Sequence, residues 1–167
     1  MKATMKHLPV VGYHCFKEGH VSMDIRLFSL FKVQYQAGKE MDKAETVTFF
    51  NDMCCMAPAT LIDPRITWGA IESNKVKATF TNNAISISAW LYFNEEGALV
   101  NFISEDRYAV SENNTVKQTP WSTPIKDHRI INGLRLGGYA DAIYHYPEGD
   151  LIYGTFKIVN IEYNCKK

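Results

Sequence analysis

The sequence predicts a mainly β (α+β) domain: a single strongly curved antiparallel sheet, a half-barrel of about nine or ten strands, with one main helix packed on its concave face. Three observations carry this. Residues 75–108 alternate apolar and polar side chains with period two and are punctuated by turn residues. Only residues 42–57 show helical spacing. The strand-like segments are joined by short turns, which forces antiparallel pairing, because a parallel pair needs a long crossover.

Val10–Phe16 reads as the first strand and Glu18-Gly19 as its hairpin turn. From Val21 to Tyr35 the odd positions are apolar except Ser29, so these residues form either one bent strand or two strands with a kink near Ser29. On the first turn His14 shares a face with Val21 and Met23, which places it inside. Ala37-Gly38-Lys39 ends the segment. Asp42 is the expected N-cap, with Glu45 completing a capping-box-like pair. Ala44, Val47, Phe50, Cys54 and Ala57 fall on one helical face, Phe49, Met53 and Met56 widen it, and Asn51 and Asp52 lie opposite. Pro58 stops the helix, because it lacks an N–H and its ring clashes with the preceding turn.

After Asp63-Pro64 the strands resume. Val76, Ala78 and Phe80 share a face, and Asn82-Asn83 is a tight turn. Ile85 to Phe93 alternates without interruption. In residues 98–108, Val100 and Phe102 face one way and Leu99 and Ile103 the other. Residues 111–119 read as a loop. Asn132-Gly133 joins an Arg129–Ile131 strand to a Leu134–Tyr146 strand, and Leu151–Tyr163 is the last. Gly137-Gly138 suggests a bulge or bend that helps the sheet curl.

The 167 residues fit one domain, residues 1–167, and 46% hydrophobic content supports a real core. Eighteen Lys and Arg balance eighteen Asp and Glu. Nucleic-acid binding, which uses a basic excess or stripe, is not expected. No run is long and apolar enough for a membrane span, and Met1–His7 does not resemble a signal peptide. The default expectation is therefore a soluble, unexported, cytoplasmic chain.

No catalytic or metal-binding signature stands out. There is no GxSxG, no HExxH, no CxxC and no EF-hand loop, so neither a metal nor a cofactor is expected. Cys54 and Cys55 read as reduced thiols on the helix, and a Cys15–Cys165 bridge stays open. Arg107 follows Asp106 at a strand end, where its planar donor fork suits an anionic head group at a groove mouth. Trp68, Trp90, Trp121 and Tyr144, with Phe50 from the helix, are the candidates to line an apolar groove. The expected ligand-binding set is thus His14, Phe50, Trp68, Trp90, Arg107, Trp121 and Tyr144, with no catalytic residue. The plain alternative for each is core packing or a solvated rim.

The stretches GYHCFKEGHVSM, KEMDKAETVTFFNDMCCMAPATLIDPRITW, FNEEGALVNFISEDRY, TPW and NGLRL resemble a family of uncharacterised bacterial proteins, a domain of unknown function. Longer members of that family carry an N-terminal region, often with a membrane segment. The resemblance therefore implies a short or truncated member of an envelope-associated parent. The closing pattern NGLRLGGYADAIYHYPEGDLIYGTFKIVNIEY is similar to lipoprotein-localisation-factor-like (LolA-like) half-barrels, which implies an apolar groove for acyl chains. The leading expectation is a module binding a lipid or other apolar small molecule between helix and sheet. The alternative is a non-enzymatic structural or protein-interaction domain with a filled core. An enzyme whose residues meet only in space (His14, Asp24 and Arg107) is a third reading.

Overall fold

The computed structural model describes residues 2–5, 8–110 and 115–165. Strands β1 (Lys2–Met5), β2 (Leu8–Lys17), β3 (His20–Leu27) and β4 (Phe31–Ala37) pair in chain order as a four-stranded antiparallel sheet. Helix α1 (Lys39–Met56) follows, and Pro58 opens a 3-10 helix over Pro58–Ile62. Then come β5 (Ile66–Glu72), β6 (Lys75–Asn82), β7 (Ile85–Phe93) and β8 (Leu99–Ser104). The short strands β9 (Tyr108–Val110) and β10 (Val116–Gln118) form a ribbon of their own. Strands β11 (Trp121–Ile131), β12 (Leu134–Tyr146) and β13 (Gly149–Lys157) complete a seven-stranded antiparallel sheet in the order β13-β12-β11-β8-β7-β6-β5.

The mainly β, antiparallel, one-helix architecture follows the sequence. The single sheet of about nine or ten strands does not: the described residues hold thirteen strands in three sheets. Helix α1 carries the chain away after β4, and the β9–β10 ribbon steps out of the large sheet between β8 and β11. None of the sheets is strongly curled or closed.

Local chemistry sets the elements. Glu18-Gly19 (φ 54° and 82°) and Asn132-Gly133 (φ 48° and 81°) make left-handed two-residue turns that match the twist of their strands. The residues from Val21 to Tyr35 form two strands, reversed through Phe28 and Ser29 at φ 51° and 62°. The turn expected at Asn82-Asn83 lies one residue later, at Asn83-Ala84, because the Asn82 side chain is held in β6 by a 2.7 Å bond from Arg65 Nη1. A register shift between β7 and β8 at Tyr92/Phe93 returns Leu99 to the core side, opposite to its expected face. The last strand stops at Lys157, not Tyr163. The expected loop over 111–119 contains β10, and residues 111–114 lie outside the described residues.

Gly137 and Gly138 are needed for space, not for a bulge. The β11–β12 ladder keeps one register from Trp121↔Tyr144 to Ile131↔Leu134. A Cβ on Gly137 would stand 2.1 Å from Ile125 Cγ2, and one on Gly138 2.8 Å from the Asp127 carbonyl oxygen. The register shift of this region falls instead between β12 and β13, at Ala142/Ile143.

Helix α1 begins three residues before the expected N-cap. Gly38 occupies the cap, and Asp42 lies inside the helix with its N–H donating to the Gly38 carbonyl at 2.8 Å. Its carboxylate has a stronger use elsewhere. Oδ1 accepts the Val21 backbone N–H at 2.7 Å, and Oδ2 lies 3.1 Å from His20 Nδ1, so the helix is pinned to β3. The large sheet receives Val47, Phe50, Met53 and Cys54. Phe50 stacks on Phe80 at 5.1 Å and meets the edge of Phe102 at 5.7 Å, and Phe102 continues to Trp121 at 6.1 Å. Burying one such ring contributes about 1.5–3 kcal/mol.

Candidate functional site

Where α1 crosses β11, β12 and β13 the core is not closed. Thr48, Asn51, Asp52, Cys55 and Met56 recur at helical spacing along one wall of a cavity of about 380 Å³. The facing wall is Trp121, Thr123 and Ile125 from β11, Ala140 and Ala142 from β12, and Tyr153 and Phe156 from β13. A second cavity of about 280 Å³ shares Cys55, Ile125 and Gly137 with it and continues past Leu91, Phe93 and Leu99. The small Ala, Thr and Gly residues at the sheet's inner surface leave this space.

Polar groups border the larger cavity. Asn51 is only 6% exposed, so it is not the solvent-side residue the helical pattern suggested. Its Nδ2 and the Thr123 hydroxyl are both buried without a hydrogen-bond partner. Asp52 makes no hydrogen bond or ion pair among the described residues. Burial first, and the charge of Glu45 second, push its carboxyl up to about 6, with Arg107 opposing. Burial and Asp52 together push the Cys55 thiol up to about 12, and burial raises Cys54 as well. Both thiols are neutral, and a neutral thiol is a poor nucleophile.

Arg107, carried in by the segment after β8, contacts two side chains of the cavity wall, Thr48 and Trp121. Its side chain is 9% exposed. Nη1 donates to the Ala44 carbonyl at 2.5 Å and to the Thr48 hydroxyl, and lies 3.5 Å from Glu45 Oε1. The guanidinium carbon sits 5.2 Å from the Trp121 ring centre. Desolvation alone lowers its basicity, but Tyr144, Glu45 and Tyr153 outweigh it and leave the group raised. Tyr144 stacks on Tyr153 at 4.9 Å, and Trp121 Nε1 donates to the Tyr153 hydroxyl at 3.1 Å. The preceding residue points elsewhere: Asp106 accepts from Lys43 Nζ at 2.7 Å and from the Ser88 N–H at 2.8 Å. Asp106 and Arg107 thus both fasten α1 to the segment that follows β8.

A family model of a family of unknown function, DUF6544, matches residues 1–156. The chain belongs to the DUF6544 family. No curated protein and no solved structure matches it. The half-barrel likeness therefore has no structural neighbour behind it.

Four of the expected site residues are linked in this DUF6544 chain. Arg107, Trp121 and Tyr144 form one cluster, and His14 joins it through Glu45, with His14 Nε2 3.5 Å from Glu45 Oε2 at a side-chain exposure of 40%. His14 is therefore at the rim, not inside. Phe50 lies behind the cluster in the core. Two residues are elsewhere. Trp68 is on the outermost strand β5 and 41% exposed. Trp90 points to the face of β7 opposite Leu91, under Lys75 Nζ at 4.6 Å from its ring centre. The triplet His14, Asp24 and Arg107 does not assemble, because Asp24 lies on the other face of β3, bonded to Arg26 at 2.7 Å. All four cysteines are free, so Cys15 and Cys165 are not bridged. Among the described residues, no group of three or more His, Cys, Asp or Glu side chains is placed to hold a metal, and no helix is long and apolar enough to cross a membrane.

Sequence reasoning missed a hydrogen-bonded chain on the outer face of the large DUF6544 sheet. Ser122 Oγ lies 2.8 Å from His145 Nε2, and His145 Nδ1 lies 2.7 Å from Asp150 Oδ1. The order of atoms is that of a Ser-His-Asp triad. Ser122 is only 3% exposed, however, so its hydroxyl does not meet a substrate from solvent. The chain acts as a strut across β11, β12 and β13. The one signal for it was the Pro147-to-Asp150 turn, which sets Asp150 opposite His145.

Proposed function

We propose that this DUF6544 chain is a non-enzymatic binding module that holds an apolar small molecule or a lipid chain between α1 and the large sheet. The observation that carries the reading is the 380 Å³ cavity at that junction. Its size falls within the range of about 300–1,000 Å³ common to small-molecule sites. Its walls are chiefly apolar, with a few convergent polar groups, as such sites require. Each methylene buried there contributes about 0.8 kcal/mol. On this reading, helix and sheet act as an open version of a half-barrel carrier, with α1 as its cover.

The test is native mass spectrometry with organic extraction of the purified protein, alongside Ala140→Phe, which fills the cavity from β12. The expected result is extra mass that extraction removes and that the variant lacks. A wild-type protein without adducts, unable to take up a fatty alcohol, would instead support the second reading, a structural or interaction domain with a filled core. That reading draws on Phe50, Phe80 and Phe102, which occupy the middle of the interior, and on edge strand β13, where Leu151, Ile152 and Phe156 are exposed.

A further inference from the structure

Strand β13 ends the seven-stranded sheet, and among the described residues no strand pairs with its outer edge. Every residue from Gly149 to Lys157 except Gly154 is exposed, including Leu151, Ile152, Tyr153 and Phe156. A row of unpaired N–H and C=O groups beside exposed apolar side chains is a template for another strand. The strand holds no proline, and its two charged residues, Asp150 and Lys157, lie near its two ends and are opposite in sign.

The irregularity within β13 decides which of its residues share a face. Asp150 and Thr155 reach His145 and Asp141 on the outer face of the sheet, where Ile152 opposes Ile143. Lys157 opposes Tyr139, whose hydroxyl also bonds Asp141, so it belongs to that face too. Tyr153 and Phe156 line the cavity on the inner face, and Leu151 opposes Tyr144, which stacks on Tyr153. The pair Ala142↔Gly154 is followed directly by Ile143↔Ile152, so Tyr153 is the extra residue and shares the face of Gly154. Two copies of one strand, paired antiparallel about a two-fold axis, set residues opposite each other only when they lie on the same face. One register across the bulge meets that condition. It sets Asp150 opposite Lys157, Leu151 opposite Phe156, Ile152 opposite Thr155 and Tyr153 opposite Gly154. A shift of one or two residues either way sets an outer residue against an inner one.

We propose that this chain pairs with a second copy of itself through β13, in that register, joining the two seven-stranded sheets edge to edge. The opposed residues are complementary. The Asp150 carboxylate, held through Oδ1 by His145 Nδ1 at 2.7 Å, meets the Lys157 ammonium of the other copy at both ends of the ladder. Leu151 meets Phe156, two apolar side chains that are exposed in the single chain. The Tyr153 ring covers Gly154, which has no side chain to fill the place. The other sheet edges lack this match. Strands β1 and β4 carry one lysine each and no acid, and β5 carries one glutamate and no base. Because both copies use the same edge, the pair is closed and does not grow into a fibre. The pairing stands whatever the cavity holds.

The experiment is sedimentation equilibrium of the full chain at low salt over a range of concentrations. Lys157→Glu, Asp150→Lys and an equal mixture of the two variants are run beside it. The natural chain should approach twice the monomer mass as its concentration rises. Either substitution sets like charges opposite each other at both ends of the ladder and should raise the dissociation constant about tenfold. In the mixture each chain supplies the charge the other lacks, so heterodimers should form as tightly as the natural pair. The natural chain and Lys157→Glu decide the matter even if Asp150→Lys, which also gives up the His145 contact, does not fold. A natural chain that stays monomeric up to about 1 mM, where even a millimolar pair would show, overturns the dimer. A dimer indifferent to Lys157→Glu, or a mixture of folded variants no tighter than its components, overturns the β13 register.

Discussion

Asp52 shows how a single side chain can work against the fold that holds it. Its carboxyl is shifted up to about 6 by burial and by Glu45, above its value of about 3.9 in an unfolded chain. Between those values the folded state binds more protons than the unfolded one, so stability falls as pH rises through about 4 to 6 and stays lower above. Asp52→Asn removes that penalty. It should be more stable than the natural chain at pH 7 by on the order of 2 kcal/mol and indistinguishable at pH 3.5, as read by urea unfolding at the two pH values. Ser122 and His145 make the opposite case. His145→Ala leaves a buried hydroxyl unpaired and should cost about 1–3 kcal/mol. A fluorophosphonate probe should leave Ser122 unlabelled in the native protein; rapid labelling would show that the hydroxyl is accessible and the chain catalytic. Composition and residue type were enough to single out Arg107, Trp121 and Tyr144. Asp52 was not legible, because its significance comes from a missing partner, and a helical wheel records neighbours on its own helix only.

The elements carry the same lesson at a larger size. Strand β12 and the Asn132-Gly133 turn were readable to the residue, because alternation and left-handed turn chemistry are local properties. The start of α1 was not, since Asp42 gives up the local cap for a long-range bond to the Val21 N–H. The face of Leu99 was also misread, because the β7–β8 register shift depends on the partner strand. Gly137 belongs to this class as well. Its backbone angles need no glycine, yet a Cβ there would overlap Ile125 Cγ2. Gly137→Ala should therefore cost about 1–3 kcal/mol by overpacking. Combining it with Ile125→Ala, which removes the clashing methyl, should give a double variant more stable than the sum of the two single losses allows. Simple additivity in chemical denaturation would mean that the strand shifts to make room. Gly138→Ala has no such remedy, because its Cβ would meet the backbone oxygen of Asp127.

Across the whole molecule, α1 is the piece that two sheets share. The seven-stranded sheet gives it a continuous floor of Phe80, Leu91, Phe102 and Trp121. The four-stranded sheet gives much less: Val10 and Val21 are buried, while Phe31, Val33 and Tyr35 on β4 remain exposed. Besides the His14–Glu45 and Phe16–Phe49 contacts, two ties supplement the thin packing. One is Asp42 on the Val21 N–H. The other is the β2–β3 turn, where Gly19 fits so closely to Asn83 that a Cβ would lie 2.7 Å from Asn83 Cβ. A unit that buries little apolar surface opens at a lower free energy than the core it leans on. Native-state hydrogen exchange should therefore show the amides of β3 and β4 opening below the global limit, with those of β6, β7 and β11 exchanging only on global unfolding. Asp42→Ala removes the acceptor of the Val21 amide, at a cost of about 1–3 kcal/mol. It should lower the opening free energy of β3 and β4 by that amount relative to β7. If the protection of β3 and β7 falls together, the two sheets and α1 form one cooperative unit, and the interior of the large sheet needs the small one in place to stay closed.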